Sequence, residues 1–324
     1  MDVLEGIARN HFVVVGRAGI DFYTDAGVAG EDADRVSVGL GGSSANIAAG
    51  ICKLGGQAAL VTRVSDDLAG DFCVAQLKRY GVDTTHVTPV GGEYRNSLAF
   101  YESRVAGHRS VIYRNGAADF QMDTDDVAAV DYSYFGALIT AGTVFAAEPS
   151  RSAAFAAFDH ARAAGLPILF DVDYRPYSWP SPEVAEEVLS KAAEMSDMIV
   201  GNDEEFGFVA GDYDRGLEKA RDLAKRVPIV VYKMGEHGAL TFWNGEEIRT
   251  GIYPVEAMKP TGAGDSFMAG FVTSIARGHD MRAAILRGSA CASITVSRPG
   301  CAPAMADTET LETFLAAHPG PTPS

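Results

Sequence analysis

The segment His11-Phe12-Val13-Val14-Val15 is a short β-branched apolar run closed by Gly16, the pattern of a strand buried on both faces of a parallel sheet. Apolar residues at helical spacing follow at Ile47, Ala48, Ile51 and Leu54. They predict a helix over 43–54, started by a serine able to cap and stopped at Gly55-Gly56. A strand over 58–62 and a helix over 67–80, ended by Gly81, come next. The alternation recurs as strand 137–140, helix 149–164, strand 168–171, helix 182–195, strand 198–201, helix 214–226 and strand 229–232. Repeated β-α units predict a doubly wound, mostly parallel sheet flanked by helices, with right-handed crossovers.

Two regions break the rhythm, about 20–39 and 97–114. In the second, Leu98, Phe100, Tyr101, Val111, Ile112 and Tyr113 suggest strands with no helix between them. Both read as a small antiparallel β lid. Helices over 262–277, 280–296 and 308–317 close the chain before a Pro-rich tail, 319–324, expected to be mobile. No internal repeat or linker divides the 324 residues, so a single α/β domain is expected.

Composition narrows the function. Hydrophobic residues at 47% and charged residues at 22% are ordinary for a globular protein and exclude collagen-like, coiled-coil and disordered readings. The net charge of −16 repels phosphate backbones and anionic lipid, against nucleic-acid or membrane-surface binding. No apolar stretch is long enough to span a bilayer, and the N-terminus lacks the basic and apolar regions of a secretory signal, so a cytoplasmic protein is expected. Cys52, Cys73, Cys291 and Cys301 form no C-x-x-C pair and read as small core residues in a reducing compartment.

The standard signatures fail when tested literally. There is no Gly-Lys dipeptide and hence no Walker A loop, and Gly39-Leu40-Gly41-Gly42-Ser43-Ser44 has serine where the dinucleotide fingerprint ends in glycine. No G-x-S-x-G elbow or H-E-x-x-H is present, and the seven histidines are scattered without metal-ligand spacing. What remains is Pro260-Thr261-Gly262-Ala263-Gly264-Asp265-Ser266-Phe267, a glycine-rich turn opening into a helix. Unsatisfied amides and the positive end of the helix dipole suit a phosphate or a phosphoryl group in flight. Asp265 is placed to accept a proton from a hydroxyl nucleophile; the alternative is that it merely caps the helix.

These residues carry a resemblance. Gly262-Ala263-Gly264-Asp265 with Ser266-Phe267 and Ala269-Gly270 resembles the C-terminal signature of the ribokinase-like (PfkB-type) carbohydrate kinases, and Gly41-Gly42-Ser43-Ser44-Ala45-Asn46-Ile47-Ala48 resembles their N-terminal one. The resemblance covers nearly the whole chain and implies an α/β core with a β lid, using ATP and Mg2+; monovalent-cation activation stays open. It implies Asp265 as the base, with the amides of Gly262, Ala263 and Gly264 as the anion hole. Asp21, Gly41, Gly42 and Asn46 would hold the sugar hydroxyls. Asn202 and Glu205, in Gly201-Asn202-Asp203-Glu204-Glu205, would organise magnesium through water. Lys233, Gly235 and Gly238 would border the nucleotide, Lys233 being either a phosphate ligand or a solvated strand end. Ala290, Ser293 and 300–302 would lie by the adenine.

One departure is informative. Most relatives carry D-T-x-G-A-G-D, whereas this chain has Met258-Lys259-Pro260-Thr261 ahead of Gly262. Val255 to Lys259, Asp171-Val172-Asp173-Tyr174-Arg175-Pro176 with Trp179, the stretches 289–293 and 297–301, and Gly16-Arg17-Ala18-Gly19-Ile20-Asp21 together resemble the 5-dehydro-2-deoxygluconokinases of inositol catabolism. The 2-keto-3-deoxygluconate kinases share part of this, and both substrates are sugar acids. Arg175, after a strand's carboxyl end, and Arg114, in the lid, are candidates for a charge-assisted grip on a carboxylate, with Arg17 a third; either of the first two could instead lie at the surface or beside ATP. Other sugars or nucleosides remain alternatives, as does a non-catalytic sugar-acid or nucleotide sensor. A lid with exposed strand edges also suggests a homodimer surface.

Overall fold

The computed structural model describes residues 2–104, 107, 109–318 and 320–321. Apart from 320 and 321, the expected mobile tail 319–324 lies outside the described residues, as do 105, 106 and 108 of the second lid segment.

A short helix α1 (Val3–Ala8) leads into β1 (His11–Val15). Lid strands β2 (Gly19–Thr24) and β3 (Val36–Gly41) follow, then α2 (Ser43–Lys53), β4 (Gln57–Ser65), α3 (Leu68–Arg79) and β5 (Val87–Val90). The lid is completed by β6 (Ser97–Tyr101) and β7 (Ser110–Tyr113). Helix α4 (Thr124–Ala128) precedes the units β8 (Ala137–Ala141), α5 (Ser150–Ala163), β9 (Ile168–Asp171), α6 (Pro182–Glu194), β10 (Met198–Asn202), α7 (Asp203–Val209), α8 (Gly216–Leu223) and β11 (Ile229–Lys233). A hairpin of β12 (Ala239–Trp243) and β13 (Glu246–Thr250) comes before α9 (Ala263–Ala276), α10 (Met281–Val296) and α11 (Thr308–Ala317).

The main sheet runs β13-β12-β11-β10-β9-β8-β1-β4-β5, with only β12 reversed, antiparallel to both β11 and β13, and the lid is a separate sheet ordered β3-β2-β6-β7. The mostly parallel, doubly wound architecture with a small β lid is therefore as expected, but the lid is mixed rather than antiparallel: β2 and β6, joined across the main-sheet elements between them, pair in parallel. Successive β1 side chains enter opposite layers: Phe12 and Val14 join the core under α2, α9 and α10, while Val13 and Val15 join the core under α5 and α6. Burial on both faces explains the unbroken apolar run, each such side chain contributing about 1.5–3 kcal/mol.

Two helix expectations are corrected, and one hairpin goes beyond them. Ser43 does not cap α2; Gly42 does, at φ 96°, with no side-chain cap. The helix expected over 214–226 is a 3-10 turn at Tyr213–Arg215 followed by the shorter α8. The β12–β13 hairpin was not anticipated, although Asn244-Gly245 between its strands, at φ 51° and 76°, is a strong local signal for a tight two-residue turn.

Candidate active site

The chain leaves β1 toward the lid and β4 on one side of the sheet and returns through β8 on the other, so the strand order reverses beside β1. Crevices at such reversals, outside the carboxyl ends of the strands, are where α/β sheets bind ligands. Here Arg17 follows β1, Thr143 follows β8, Asp173 and Arg175 follow β9, Asn202 ends β10 and Lys233 ends β11. Together with the N-terminus of α9 and the lid they line one cavity of 1070 Å³.

Gly262 is the N-cap of α9, held left-handed at φ 81°, and no side chain caps the helix. Its first amides, from Ala263 onward, are thus left for a ligand at the positive end of a 14-residue dipole. Asp265 is the third residue of the helix rather than its cap, which removes the alternative reading. Its Oδ2 accepts a hydrogen bond from Asn46 Nδ2 at 2.9 Å. Burial, and then the neighbouring Asp173, push the Asp265 carboxyl up to about 7. A group with that affinity sits where a general base works near neutral pH.

On the lid side, Asp21 is buried by β2 and pushed up to about 6, chiefly by desolvation. Its Oδ2 accepts from Tyr23 Oη at 2.8 Å, while Asp21 Oδ1 and Asn46 Oδ1 have no hydrogen-bond partner among the described residues. Two buried orphan acceptors in a cavity suit hydroxyl donors. Gly41 does not line the cavity; a Cβ there would stand 2.0 Å from Asp21 Oδ1, so the glycine makes room for that carboxylate.

The three arginines differ. Arg114 is buried, Nε donates to Asp119 Oδ2 at 3.0 Å, Nη1 donates to the Thr143 carbonyl at 2.8 Å, and its Cζ lies 3.9 Å from the Phe120 ring centroid. It borders the cavity but is held by the protein. Arg175 pairs with Asp173 Oδ1 at 2.7 Å and is half exposed. Arg17 is buried, donates from Nη1 to the neutral Ser97 Oγ at 2.9 Å, and has no carboxylate within ion-pair distance among the described residues. Its charge is the least committed of the three.

Asn202 and Glu205 cap α7 reciprocally: Asn202 Oδ1 accepts from the Glu205 amide, and Glu205 Oε2 from the Asn202 amide, both at 2.8 Å. This leaves Glu205 Oε1 at the cavity, 3.9 Å from Arg175. Lys233 is no solvated strand end; its Nζ would be 3.3 Å from a Cβ on Gly264, and Asp171 Oδ2 3.9 Å from the same point. Asp171 and Glu205 are both pushed upward by burial, partly offset by Lys233. Among the described residues no group of His, Cys, Asp and Glu could hold a metal alone. A dense set of buried carboxylates facing two cations nevertheless fits a hydrated divalent ion brought in with a polyphosphate.

Gly235 and Gly238, at φ 54° and 82°, shape the turn between β11 and β12, and Ser293 donates to the Tyr253 carbonyl at 2.7 Å on the same wall. Ala290 is corrected: the cavity takes Ser289, Ala292, Ser293 and Val296 of α10, and Ala290, on another helical face, is in the core. Cys301 lines the cavity on its lid side. Its Sγ is 2.9 Å from Tyr23 Oη, on the Asp21 side, while Ala302 is buried in the core. The residues that sequence reasoning passed over are Asp171, Asp173 and Lys259, all buried around the turn.

Comparison with known proteins agrees with this geometry. The family described as "pfkB family carbohydrate kinase" matches residues 9–308. The chain is 34% identical over 310 residues to the 5-dehydro-2-deoxygluconokinase of Photobacterium profundum, covering 94% of each. It is similar to the solved fructokinase of Xylella fastidiosa with bound ATP, at TM-score 0.84 and 20% identity over 95% of this chain and 98% of that one. A double mutant of the Vibrio cholerae O395 fructokinase, in a fructose, ADP and potassium ion bound form, gives 0.81 at 25% identity over 94% and 98%. The non-catalytic sensor is set aside: the chain belongs to the pfkB family of carbohydrate kinases and is a phosphotransferase acting on a sugar.

Proposed function

We propose that the chain transfers the γ-phosphoryl group of ATP to the terminal hydroxyl of 5-dehydro-2-deoxy-D-gluconate, in inositol catabolism. The observation that carries this reading is the meeting of Arg17, Arg114 and Arg175 around one cavity with Asp21, Asn46 and Asp265. In a chain of net charge −16, the buried Arg17, with no carboxylate within ion-pair distance among the described residues, and the exposed edge of Arg175 favour an acidic sugar over a neutral one. Arg17 and the outer edge of Arg175 grip the carboxylate, and Arg114 shapes the wall. The relatives named 5-dehydro-2-deoxygluconokinase support the same acceptor.

Asp21 Oδ1 and Asn46 Oδ1 accept sugar hydroxyl protons and aim the terminal hydroxyl at Asp265. Asp265 removes its proton as the oxygen bonds to the γ-phosphorus; the bond from that phosphorus to the β–γ bridging oxygen breaks, and ADP leaves with those electrons. The amides of Gly262, Ala263 and Gly264 hold the negative charge that builds on the phosphoryl oxygens, and Lys233 neutralises phosphate beside Gly264. Magnesium, when bound with ATP near Asn202 and Glu205, supplies charge neutralisation of the phosphates. Gly235, Gly238 and Ser293 border the nucleotide base.

Lid edge strands β3 and β7 expose Val38, Val111 and Tyr113, which supports a homodimer through the lid. Four free cysteines and an ATP-consuming reaction support a cytoplasmic site of action.

The test is product identity. Incubation with ATP, magnesium and 5-dehydro-2-deoxygluconate should yield ADP and a phosphomonoester on the terminal carbon, seen as phosphorus coupling to its methylene protons. No phosphomonoester, or one on another carbon, would overturn the proposal.

A further inference from the structure

Lys259 is 1% exposed and ranks among the largest fully buried side chains of the protein, an unusual place for an ammonium group. Its Nζ donates to the carbonyls of Thr261 at 2.6 Å and Thr295 at 3.2 Å. No carboxylate among the described residues lies within ion-pair distance of it. Burial lowers its proton affinity, opposed by Cys301, Asp21 and Asp265. A buried charge without a bonded counter-ion is costly, so its retention calls for a cause beyond packing.

Both carbonyls are informative. Thr295 is in the last turn of α10, at the negative end of its dipole, and its carbonyl also accepts from the Arg298 amide at 3.4 Å. The amides of Met258 and Lys259 also approach the Val296 carbonyl, at 2.8 and 3.3 Å, so the loop docks on that helix end. Thr295 Oγ1 in turn donates to Ser266 Oγ at 2.8 Å, in the first turn of α9. The Thr261 carbonyl belongs to the same peptide unit as the Gly262 amide. A cation on that carbonyl polarises the unit and strengthens its N–H as a donor toward a phosphoryl group.

Backbone carbonyls gathered around a single positive charge, without a carboxylate, are the ligand type that suits a monovalent ion. We infer that Lys259 is a tethered monovalent cation: its ammonium holds the loop from Thr261 to Gly264 against the end of α10 and takes the place that a free potassium or sodium ion would fill. A second cation there would meet the ammonium at short range, so the residues present do not fit one. Lys259 is a positioning residue, acting through the Thr261–Gly262 peptide. The inference rests on the proposed role of the Gly262–Gly264 amides as the phosphoryl site.

The experiment compares ADP affinity by calorimetry, and turnover by coupled ADP release, in potassium, sodium and tetramethylammonium salts at equal ionic strength. The wild-type protein is expected to give the same ADP affinity and the same kcat in all three. Lys259→Ala is expected to lose roughly 10²-fold in kcat and to regain part of it, saturably, with potassium, ammonium or methylammonium but not tetramethylammonium. Potassium dependence of the wild type overturns the inference, as does a folded Lys259→Ala that no small cation rescues. If the alanine variant does not fold, the wild-type salt series decides alone. The ADP titration needs no acceptor, so a wrong sugar acid leaves it readable and the two failures are distinguishable.

Discussion

Asn46 and Asp265, 219 positions apart, meet at 2.9 Å where the first turn of α2 faces the first turn of α9. The contact couples the helix proposed to bind the acceptor to the helix proposed to bind the phosphoryl group, so the Asp265 carboxylate is held between the two signatures. Replacing Asp265 with Asn keeps the shape and removes the proposed base. Asp265→Asn is expected to lower kcat by about 10²–10⁴ while leaving ADP affinity by calorimetry unchanged. A kcat within reach of the wild type would exclude Asp265 as base.

The same carboxylate sets a pH dependence. With Asp265 pushed to about 7 by burial, kcat/KM should fall as pH drops through about 7, because only the ionised form accepts a proton. Asn46→Ala removes a donor that favours ionisation, and the acid limb should move to higher pH.

Stability follows the opposite sign. The folded state holds the Asp265 proton up to about 7 and the unfolded chain only to near 3.8, so between these values folding retains the proton and stability falls as pH rises. Asp265→Asn should therefore raise the unfolding free energy more at about pH 8 than at about pH 4, by an amount on the order of 2–4 kcal/mol in denaturant unfolding. An equal effect at both ends would contradict the assigned burial cost.

The arginines separate by what each already holds. Arg17, bonded only to Ser97 Oγ, is expected to bind the acid: Arg17→Met should raise KM for the sugar acid about tenfold to a hundredfold in steady-state kinetics, with Tm little changed. Arg114, bonded to Asp119 and the Thr143 carbonyl, should act on the fold, and Arg114→Met should cost about 3–5 kcal/mol in denaturant unfolding by leaving Asp119 buried and unpaired.

The glycines divide the same way. Gly42 is at φ 96° and a Cβ there would stand 2.5 Å from the Arg17 carbonyl oxygen, so Gly42→Ala should lower stability by more than about 1 kcal/mol. Gly264 has helical backbone, and its Cβ would meet the mobile end of Lys233 at 3.3 Å. Gly264→Ala should leave the Tm nearly intact and lower kcat. Thermal melts beside turnover distinguish the two.

Much of this was legible in the sequence because it is local. The alternating strands and helices and the Gly262–Asp265 turn are contiguous patterns whose physics needs no partner. Asp171 and Asp173 were visible only as part of a motif, since their surroundings include Lys233, brought alongside by the strand order β9-β10-β11, and Asp265 at the start of α9. Arg114 looked free because its partner, Asp119, lies past the end of the lid strand on a 3-10 turn that no periodicity announces. Ala290 was assigned from a neighbouring position on α10, and one residue of helical phase, about 100°, separates the cavity wall from the core. Lys259 stands out in the sequence only as a departure from D-T-x-G-A-G-D, and its burial follows from the packing of α10 against its loop.

The most direct test of the whole account is kcat/KM, by coupled ADP release with ATP and magnesium, across 5-dehydro-2-deoxygluconate, 2-keto-3-deoxygluconate, ribose, fructose and adenosine. The account predicts the highest value for 5-dehydro-2-deoxygluconate, with the preference over neutral acceptors collapsing in Arg17→Met. A higher value for fructose, ribose or adenosine would contradict the acid-binding site, and a higher value for 2-keto-3-deoxygluconate would contradict the assigned substrate.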